Sequence, residues 1–410
     1  MIARIKKKEK SVRGTIQLPP SKSIYNRALI IRALCSEDFK ISPSPSANDS
    51  LLLEKILQTN LSVIDAEDAG TAFRFLTAYL SQKLGGEWLL TGTERMQNRP
   101  IAPLVAALKQ LGADITYAAR ENFPPLLIHG KKLKGGSIEI DGSISSQFIS
   151  ALLLIAPTLE GGIQLQLRGE VFSRPYIEMT LKLMHGFGIK SGWSRNTITV
   201  QQQKYIPKDF LVEADWSAAS YWYEAAALSE EASITLTGLN QNSIQGDSVI
   251  SELMQQFTVR TEFLPGAIRI TKQPSSPPSA FSYNFRACPD LVQAMAVTCA
   301  ALGTEAALGG VENLRIKETD RLRAMLGELS RLGITAHIAS STFYIPSSHM
   351  SGQQGGFAFE TYNDHRMAMC LAPLALKLGM VEIKDCEVVK KSYPGFWDDL
   401  ALAGFEISFL

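Results

Sequence analysis

Long hydrophobic runs are missing from this sequence. The longest unbroken apolar stretches, Ala151 to Ala156 and Met367 to Ala372, are closed by Pro157 and Pro373. Both fall far short of the roughly 20 residues that a membrane-spanning helix needs. Cysteine is also sparse. Cys35, Cys288, Cys299, Cys370 and Cys386 stand singly, with no Cys-x-x-Cys among them. An odd, scattered set in a chain this long reads as reduced, mostly buried thiols in a cytoplasmic setting. The five histidines are dispersed and lack metal-ligand spacing. No Walker A loop, Gly-x-Gly-x-x-Gly or Gly-x-Ser-x-Gly occurs. Charge of one sign is not in excess either: the net charge is +1, which excludes a global field for nucleic acid or an anionic membrane. Lys6, Lys7 and Lys8 near the start have no apolar run behind them, so no secretory signal is expected.

What is present is ordinary globular composition, 45% hydrophobic and 20% charged over 410 residues, enough for one to three domains with a large core. One pattern recurs: an amphipathic helix, often a glycine, then a short strand. It reads Leu108 to Ile115, Leu183 to Ile189, Leu329 to Ile334 and Leu400 to Phe405, with weaker copies at Ile56 to Val63 and Leu253 to Val259. Glycine at the helix end is a C-cap signal. Taking Asn60, Gly112, Gly188, Phe257, Gly333 and Gly404 as equivalent, the steps are 52, 76, 69, 76 and 71 residues, which marks an internal repeat with a trimmed first unit. A second helix, apolar almost all round and therefore expected to be buried, precedes the amphipathic one in each unit. These run from Ser21 to Cys35, Gly70 to Leu80, Ser145 to Leu159, Asp215 to Leu228, Asp290 to Leu302 and Asn363 to Gly379. Each unit thus reads as strand, buried helix, strand, outer helix, strands. The expected division is residues 21–213 for three units, and residues 1–20 plus 214–410 for the other three.

The polar residues without a packing reason gather at expected helix starts. Serine, threonine and aspartate there are ordinary caps. Lysine and arginine are not, because the helix dipole disfavours a cation at its N-terminus. Lys22, Arg27, Arg74, Arg99, Lys317, Arg321, Arg366 and Lys391 nonetheless sit at or within about two turns of such starts, with Pro100 read as the first residue of an outer helix. Repeated acceptance of that penalty points to anionic ligands, such as two phosphates and a carboxylate, bound by cations and N-terminal N–H groups together. Asp290, Glu318 and Asp364 lie in the same set and can move protons or hold hydroxyls. The densest stretch, Asn313 to Arg321, places Lys317, Glu318, Asp320 and Arg321 before an apolar helix with Thr319 or Asp320 as its N-cap. This combines an anion site with an acid/base group. His365 reads as packed beside Arg366.

These residues resemble a known family. Pro20-Ser21-Lys22-Ser23 with Arg27, Ala69 to Arg74, Arg95 to Ile101, Asp141 to Phe148, Ser173 to Ile177, Lys317 to Arg321 and Tyr362 to Met369 look like 3-phosphoshikimate 1-carboxyvinyltransferase (5-enolpyruvylshikimate-3-phosphate synthase). The motifs run in order through essentially the whole chain. The resemblance implies an α/β (α+β) fold of two domains, an inside-out α/β barrel with three βαβαββ repeats per domain and a cleft between them. The first domain would be the shikimate 3-phosphate side and the second the phosphoenolpyruvate side. It implies attack of the 5-hydroxyl of shikimate 3-phosphate on C2 of phosphoenolpyruvate and loss of phosphate from the tetrahedral intermediate. No metal, no organic cofactor and no nucleic-acid or membrane partner is implied, and the chain would be a cytoplasmic monomer.

Carried over residue by residue, the resemblance implies that Lys22, Gly70, Arg99, Gln147, Arg321, Arg366 and Lys391 hold phosphoenolpyruvate. Lys22, Ser23, Arg27, Ser145, Ser146, Gln147, Ser173, Tyr176, Asp290, Asn313 and Lys317 would hold shikimate 3-phosphate. Asp290 would be the base for the 5-hydroxyl, and Glu318, with Lys22 near, would exchange the proton of the pyruvyl methylene. Three departures stand out: Asp68 where the family usually has Asn, Phe75 where it has Pro, and a short segment between Asp49 and Asp68. They put the shape of the phosphoenolpyruvate loop, and inhibitor response, in question. Three rival readings remain. UDP-N-acetylglucosamine 1-carboxyvinyltransferase would carry a Lys-Asn pair near the N-terminus and a loop Cys, where Ser21-Lys22-Ser23 and a Cys-free Arg95 to Pro100 stand here. A non-catalytic phosphometabolite-binding protein on the same scaffold would lack Lys22, Asp290 or Glu318. A structural repeat protein would not explain cations at so many helix starts.

Overall fold

The structure is a computed structural model that describes residues 1–350 and 356–410. Contacts divide the chain into two compact units, Met1–Ser21 with Glu213–Leu410, and Lys22–Val212. Each unit is assembled around helices that have no polar face. In Ser146–Ile155 every residue but Gln147 is buried, and in Trp216–Leu228 every residue but Ser217. A helix apolar on all sides has to be enclosed on all sides, and sheets and outer helices supply the enclosure.

The sheets repeat one plan, a parallel pair followed by an antiparallel hairpin. In the Met1–Ser21/Glu213–Leu410 unit, Ser11–Gln17 runs parallel to Glu231–Thr237, which pairs with Ala267–Lys272 and through it with Val259–Leu264. Ala280–Asn284, Glu305–Gly309, Thr342–Ile345 and His337–Ala339 repeat the order. The third sheet completes it with the start of the chain. Phe357–Phe359 is parallel to Met380–Lys384, and Ile2–Lys6 lies between Met380–Lys384 and Glu406–Phe409. In the Lys22–Val212 unit, Val63–Asp65, Glu87–Thr91, Leu126–His129 and Asp114–Tyr117 form one such sheet. Lys134–Asp141, Glu160–Arg168, Thr197–Val200 and Ser191–Ser194 form another. The remaining repeat keeps only its parallel pair, Ile41–Ser42 with Phe210–Leu211. After the outer helix Asn48–Gln58 the chain passes directly to Val63–Asp65. The trimmed first unit is therefore a lost hairpin.

Local chemistry explains where the helices differ from their expected spans. The buried helix at Ser146 ends at Ile155 and tightens into a 3₁₀ turn, Ala156–Thr158, at Pro157. The helix at His365 ends at Leu371 and tightens at Ala372–Leu374 around Pro373. A proline lacks the N–H that would continue the ladder and crowds the preceding turn. Two expected helix starts are corrected. The outer helix is Ala102–Gln110, with Pro103 in its first turn, so Pro100 lies outside it. Lys391 ends a 3₁₀ segment, Cys386–Lys391, while the following helix, Phe396–Leu402, begins after Gly395. That last helix is closed by the N-terminal strand region. Lys7 Nζ donates to the carbonyls of Gly404 at 2.8 Å and Ala403 at 3.3 Å, placing a cation where the helix dipole is negative. Gly404 has φ +87°, and a Cβ there would lie 2.8 Å from Lys7 Nζ.

One buried acid has no counterpart among the described residues. Glu224, in the middle of Trp216–Leu228, is fully buried, and neither carboxyl oxygen has a hydrogen-bond partner among the described residues. Burial pushes its carboxyl well above the ordinary value of 4.5, because nothing nearby offsets the cost of the charged form. A folded pKa above the unfolded one means that the folded state binds more protons, and stability falls as pH rises from about 4.5. We predict that Glu224→Leu is more stable than the wild type by about 1–3 kcal/mol at neutral pH. The gap should widen as pH rises toward 8 in urea unfolding curves; a gap that is absent or narrows with pH contradicts this account.

Candidate active site

The candidate residues fall into two groups, one in each unit. In the Lys22–Val212 unit the helix Lys22–Leu34 opens with Lys22, whose Nζ pairs with Asp49 Oδ2 at 2.9 Å. Asp49 lies in the first turn of Asn48–Gln58, a position where a carboxylate is favoured by the dipole alone, so nothing in the sequence marks it as a partner for Lys22. One turn along, Arg27 is buried and gathers three segments. Its Nη1 donates to the Ser23 carbonyl at 2.8 Å, Nη2 to Ser150 Oγ at 3.0 Å and the Tyr176 carbonyl at 3.2 Å, and Nε to Thr180 Oγ1 at 2.7 Å. Its guanidinium lies over the Phe75 ring, 5.4 Å from the centroid. Among the described residues no carboxylate pairs with it. Burial pushes the guanidinium down to about 10, so it still carries its charge at neutral pH.

Phe75 continues the helix Gly70–Gln82 without a break, as expected for a residue that, unlike proline, has an N–H to donate. Gly70 opens that helix beneath two more guanidiniums. A Cβ on Gly70 would meet Arg99 Nη1 at 2.5 Å and Arg74 Nη1 at 2.6 Å, so only glycine lets both cations approach the backbone there. Arg74 Nη1 donates to the Gly70 carbonyl at 2.7 Å. Asp68 accepts from the Thr93 hydroxyl, which ties the turn before Gly70–Gln82 to the segment after Glu87–Thr91. Ser145 caps Ser146–Ile155 by accepting from Gln147 N at 3.3 Å, and Gln147 Nε2 donates to Thr71 Oγ1 at 3.1 Å. Ser146 is buried and Ser145 half-buried. Ser173, buried, precedes Arg174–Gly186 with φ +53°, a left-handed conformation costly for a residue with a side chain. Tyr176 follows in the first turn.

The second group surrounds Arg321, the first residue of the helix Arg321–Arg331. Asp320 caps that helix, accepting from Arg323 N at 3.1 Å. The Arg321 side chain is 2% exposed and three carboxylates share it. Nε donates to Asp364 Oδ2 at 2.7 Å, Nη1 to Asp290 Oδ1 at 3.0 Å and Nη2 to Glu318 Oε2 at 2.8 Å. Asp364 also caps His365–Leu371 through Arg366 N at 2.9 Å. The Arg366 side chain turns to Asp290 Oδ2 at 2.8 Å and to the Tyr221 hydroxyl at 3.3 Å. Burial alone raises the Asp290 carboxyl, but Arg366, Arg321 and Lys317 outweigh it and hold Asp290 well below the usual carboxylate range. A second acid lies close by. Asp247, buried, accepts from the Ser217 hydroxyl, and burial, together with the charge of Asp290, pushes it up to about 7. Sequence reading singles out neither Asp247 nor Tyr221. Asn313 falls in the 3₁₀ segment Glu312–Ile316, and Lys317 joins that segment to the Arg321 helix. Lys391 is half-buried at the end of its own 3₁₀ segment. His365 is buried beside Asp364, with Nδ1 3.6 Å from Asp364 Oδ1.

Comparison with known proteins identifies the family. Residues 53–400 match the family described as EPSP synthase (3-phosphoshikimate 1-carboxyvinyltransferase). The 3-phosphoshikimate 1-carboxyvinyltransferase of Bacteroides fragilis is 47% identical over 397 residues, covering 97% of this chain and 96% of that protein. The protein of the same name from Vibrio campbellii is 38% identical over 419 aligned residues, covering 95% and 96%. In three dimensions the EPSP synthase of Acinetobacter baumannii superposes with a TM-score of 0.80 at 22% identity, covering 100% of both chains. That likeness speaks for the fold, and the sequence matches speak for descent. The chain belongs to the EPSP synthase family.

Proposed function

We propose that the two groups of residues divide the work of one reaction, transfer of the enolpyruvyl group of phosphoenolpyruvate to the 5-hydroxyl of shikimate 3-phosphate, with release of phosphate. The observation that carries this reading is the pair of carboxylates, Asp290 and Glu318, on one buried guanidinium. The chemistry needs two proton carriers: one to take the hydroxyl proton as oxygen bonds to C2, and one to protonate the methylene carbon as its double bond opens. Asp290 fills the first role and Glu318 the second, with Lys22 assisting. In the elimination that follows, the methylene carbon returns its proton, the C2–phosphate bond breaks and phosphate leaves. The net result moves the hydroxyl proton onto phosphate.

Protonating the carbon makes an oxocarbenium-like centre, so the substrate anions must be neutralised close by. Arg99, Arg321, Arg366, Lys391, Lys22, Gln147 and the Gly70 backbone serve phosphoenolpyruvate in this reading. Ser23, Arg27, Ser145, Ser146, Ser173, Tyr176, Asp290, Asn313 and Lys317 serve shikimate 3-phosphate, with Lys22 and Gln147 serving both. The absence of a carboxylate on Arg27 among the described residues supports an anionic ligand in that unit, because a buried cation without a counter-charge is costly. A cytoplasmic setting, supported by five free thiols of which four are buried, and a monomeric state complete the reading.

The test is phosphate release by purified protein supplied with shikimate 3-phosphate and phosphoenolpyruvate without added metal. Turnover is expected. No phosphate with that pair, but turnover with UDP-N-acetylglucosamine as acceptor, would reassign the acceptor.

A further inference from the structure

Arg321 presents two edges, and they are occupied differently. Its Nε side faces Asp364, which accepts from Nε at 2.7 Å and from Nη2 at 3.5 Å, and whose side chain is fully buried and also caps the next helix. Its Nη edge faces Glu318 and Asp290, whose side chains are 15% and 18% exposed. Asp364 is therefore fixed from behind. The face of the guanidinium that an incoming anion can reach is the one already held by Glu318 and Asp290. Three carboxylates share two guanidiniums there, Arg321 and Arg366, with Lys317 adjacent. Nη2 already serves Glu318 at 2.8 Å and Asp364 at 3.5 Å, so an anion can grip both nitrogens of that edge only by taking the place of a carboxylate.

We propose that phosphoenolpyruvate binds by ion exchange: one of its anionic groups replaces Glu318 on the Nη edge of Arg321, and the displaced Glu318 takes up a proton. This rests on the reading of the site given above and adds how the proton carrier is loaded. A carboxylate that loses a guanidinium partner and keeps carboxylate neighbours, Asp290 and Asp364, holds a proton more tightly. Arg366 and Lys317 stay nearby, and Arg366 is already engaged with Asp290. While Glu318 is bound to Arg321, the guanidinium matches its charge. Donor binding thus converts Glu318 from a structural counter-ion into an acid beside the carbon it must protonate. The proton comes from solvent and passes to the methylene carbon in the addition step. It returns to Glu318 in the elimination, and Glu318 gives it up to solvent when it pairs again with Arg321.

Calorimetric titration of the full-length protein with phosphoenolpyruvate, in buffers of different ionisation enthalpy, reads affinity and proton uptake together. It is run with and without shikimate 3-phosphate from about pH 8 to pH 6. Glu318→Gln removes the competing charge. It should bind phosphoenolpyruvate roughly tenfold more tightly than the wild type and take up fewer protons on binding at each pH. Inorganic phosphate should show the same order. Equal or weaker binding by Glu318→Gln, equal proton uptake in the two proteins, or no binding to either would overturn the exchange. If Glu318→Gln does not melt cooperatively, Glu318→Ala takes its place in the same comparison. Binding is read without turnover, so failure here is separable from failure of the phosphate-release assay.

Discussion

Arg321→Met should lose about 3–5 kcal/mol of unfolding free energy at neutral pH, the cost of leaving buried charges without their partner. The loss should shrink in acid. In the wild type, Arg366, Arg321 and Lys317 depress the Asp290 carboxyl against the effect of burial. Its contribution to stability is present above its unfolded value of 3.8 and is lost only as pH falls through the folded value. In the variant Asp290 stays buried and keeps Arg366 and Lys317 but loses Arg321. Its folded pKa would rise, so the variant's deficit would grow as pH rises from about 4. Urea unfolding at about pH 5 and pH 8 should show the larger deficit at pH 8. A deficit independent of pH would mean that Arg321 matters through packing instead of charge. Methionine keeps the length and the apolar stem, so cavity effects stay small beside the electrostatic term.

Asp290→Asn should lower kcat by about 10²–10⁴-fold, the range expected when a positioned proton acceptor is removed. Asparagine preserves the shape and still offers one oxygen to Arg321 or Arg366, so the variant should fold, with a lower melting temperature because the charge that those guanidiniums hold is gone. A drop in kcat under tenfold, measured as phosphate release with both substrates saturating, would remove Asp290 from the role of base. Equal losses in Asp290→Asn and in a variant that only weakens shikimate 3-phosphate binding, seen as recovery at high substrate, would give it a holding role instead. The same geometry sets a limit on the free protein. Two guanidiniums that keep Asp290 ionised also make it a weak base. Drawing Arg321 away to a substrate anion would strengthen it, which links this prediction to the exchange at Glu318.

The architecture was legible because each repeat writes the same local signals: an apolar helix, an amphipathic helix, a glycine cap and short strands. Gly112, Gly188, Gly333 and Gly404, each with positive φ, mark four of the six copies. The lost hairpin appeared as a short first step. Helix ends were less legible, since the helices expected at Ser145 to Leu159 and Asn363 to Gly379 run past Pro157 and Pro373, and the tightening into 3₁₀ turns depends on the ring itself. Within the site, motifs located the charged residues but not their partners. Arg321 meets Asp290 from 31 residues away and Asp364 from 43. Lys22 meets Asp49 from 27. No helical or strand spacing encodes such pairs; they exist only once the buried helices have set their ends side by side. Asp247 and Glu224 escaped notice for a related reason. An acid in a sequence looks solvated until packing removes the water around it.

The placement of Ile2–Lys6 has a temporal consequence. This strand is bonded along both sides, to Met380–Lys384 and to Glu406–Phe409, so both of its partners leave the ribosome long after it does. The Lys22–Val212 unit draws its strands from one continuous stretch and has them before those partners are made. Ile2–Lys6 must wait, unpaired, while the intervening chain emerges. Synthesis order and assembly order are thus opposed within one sheet.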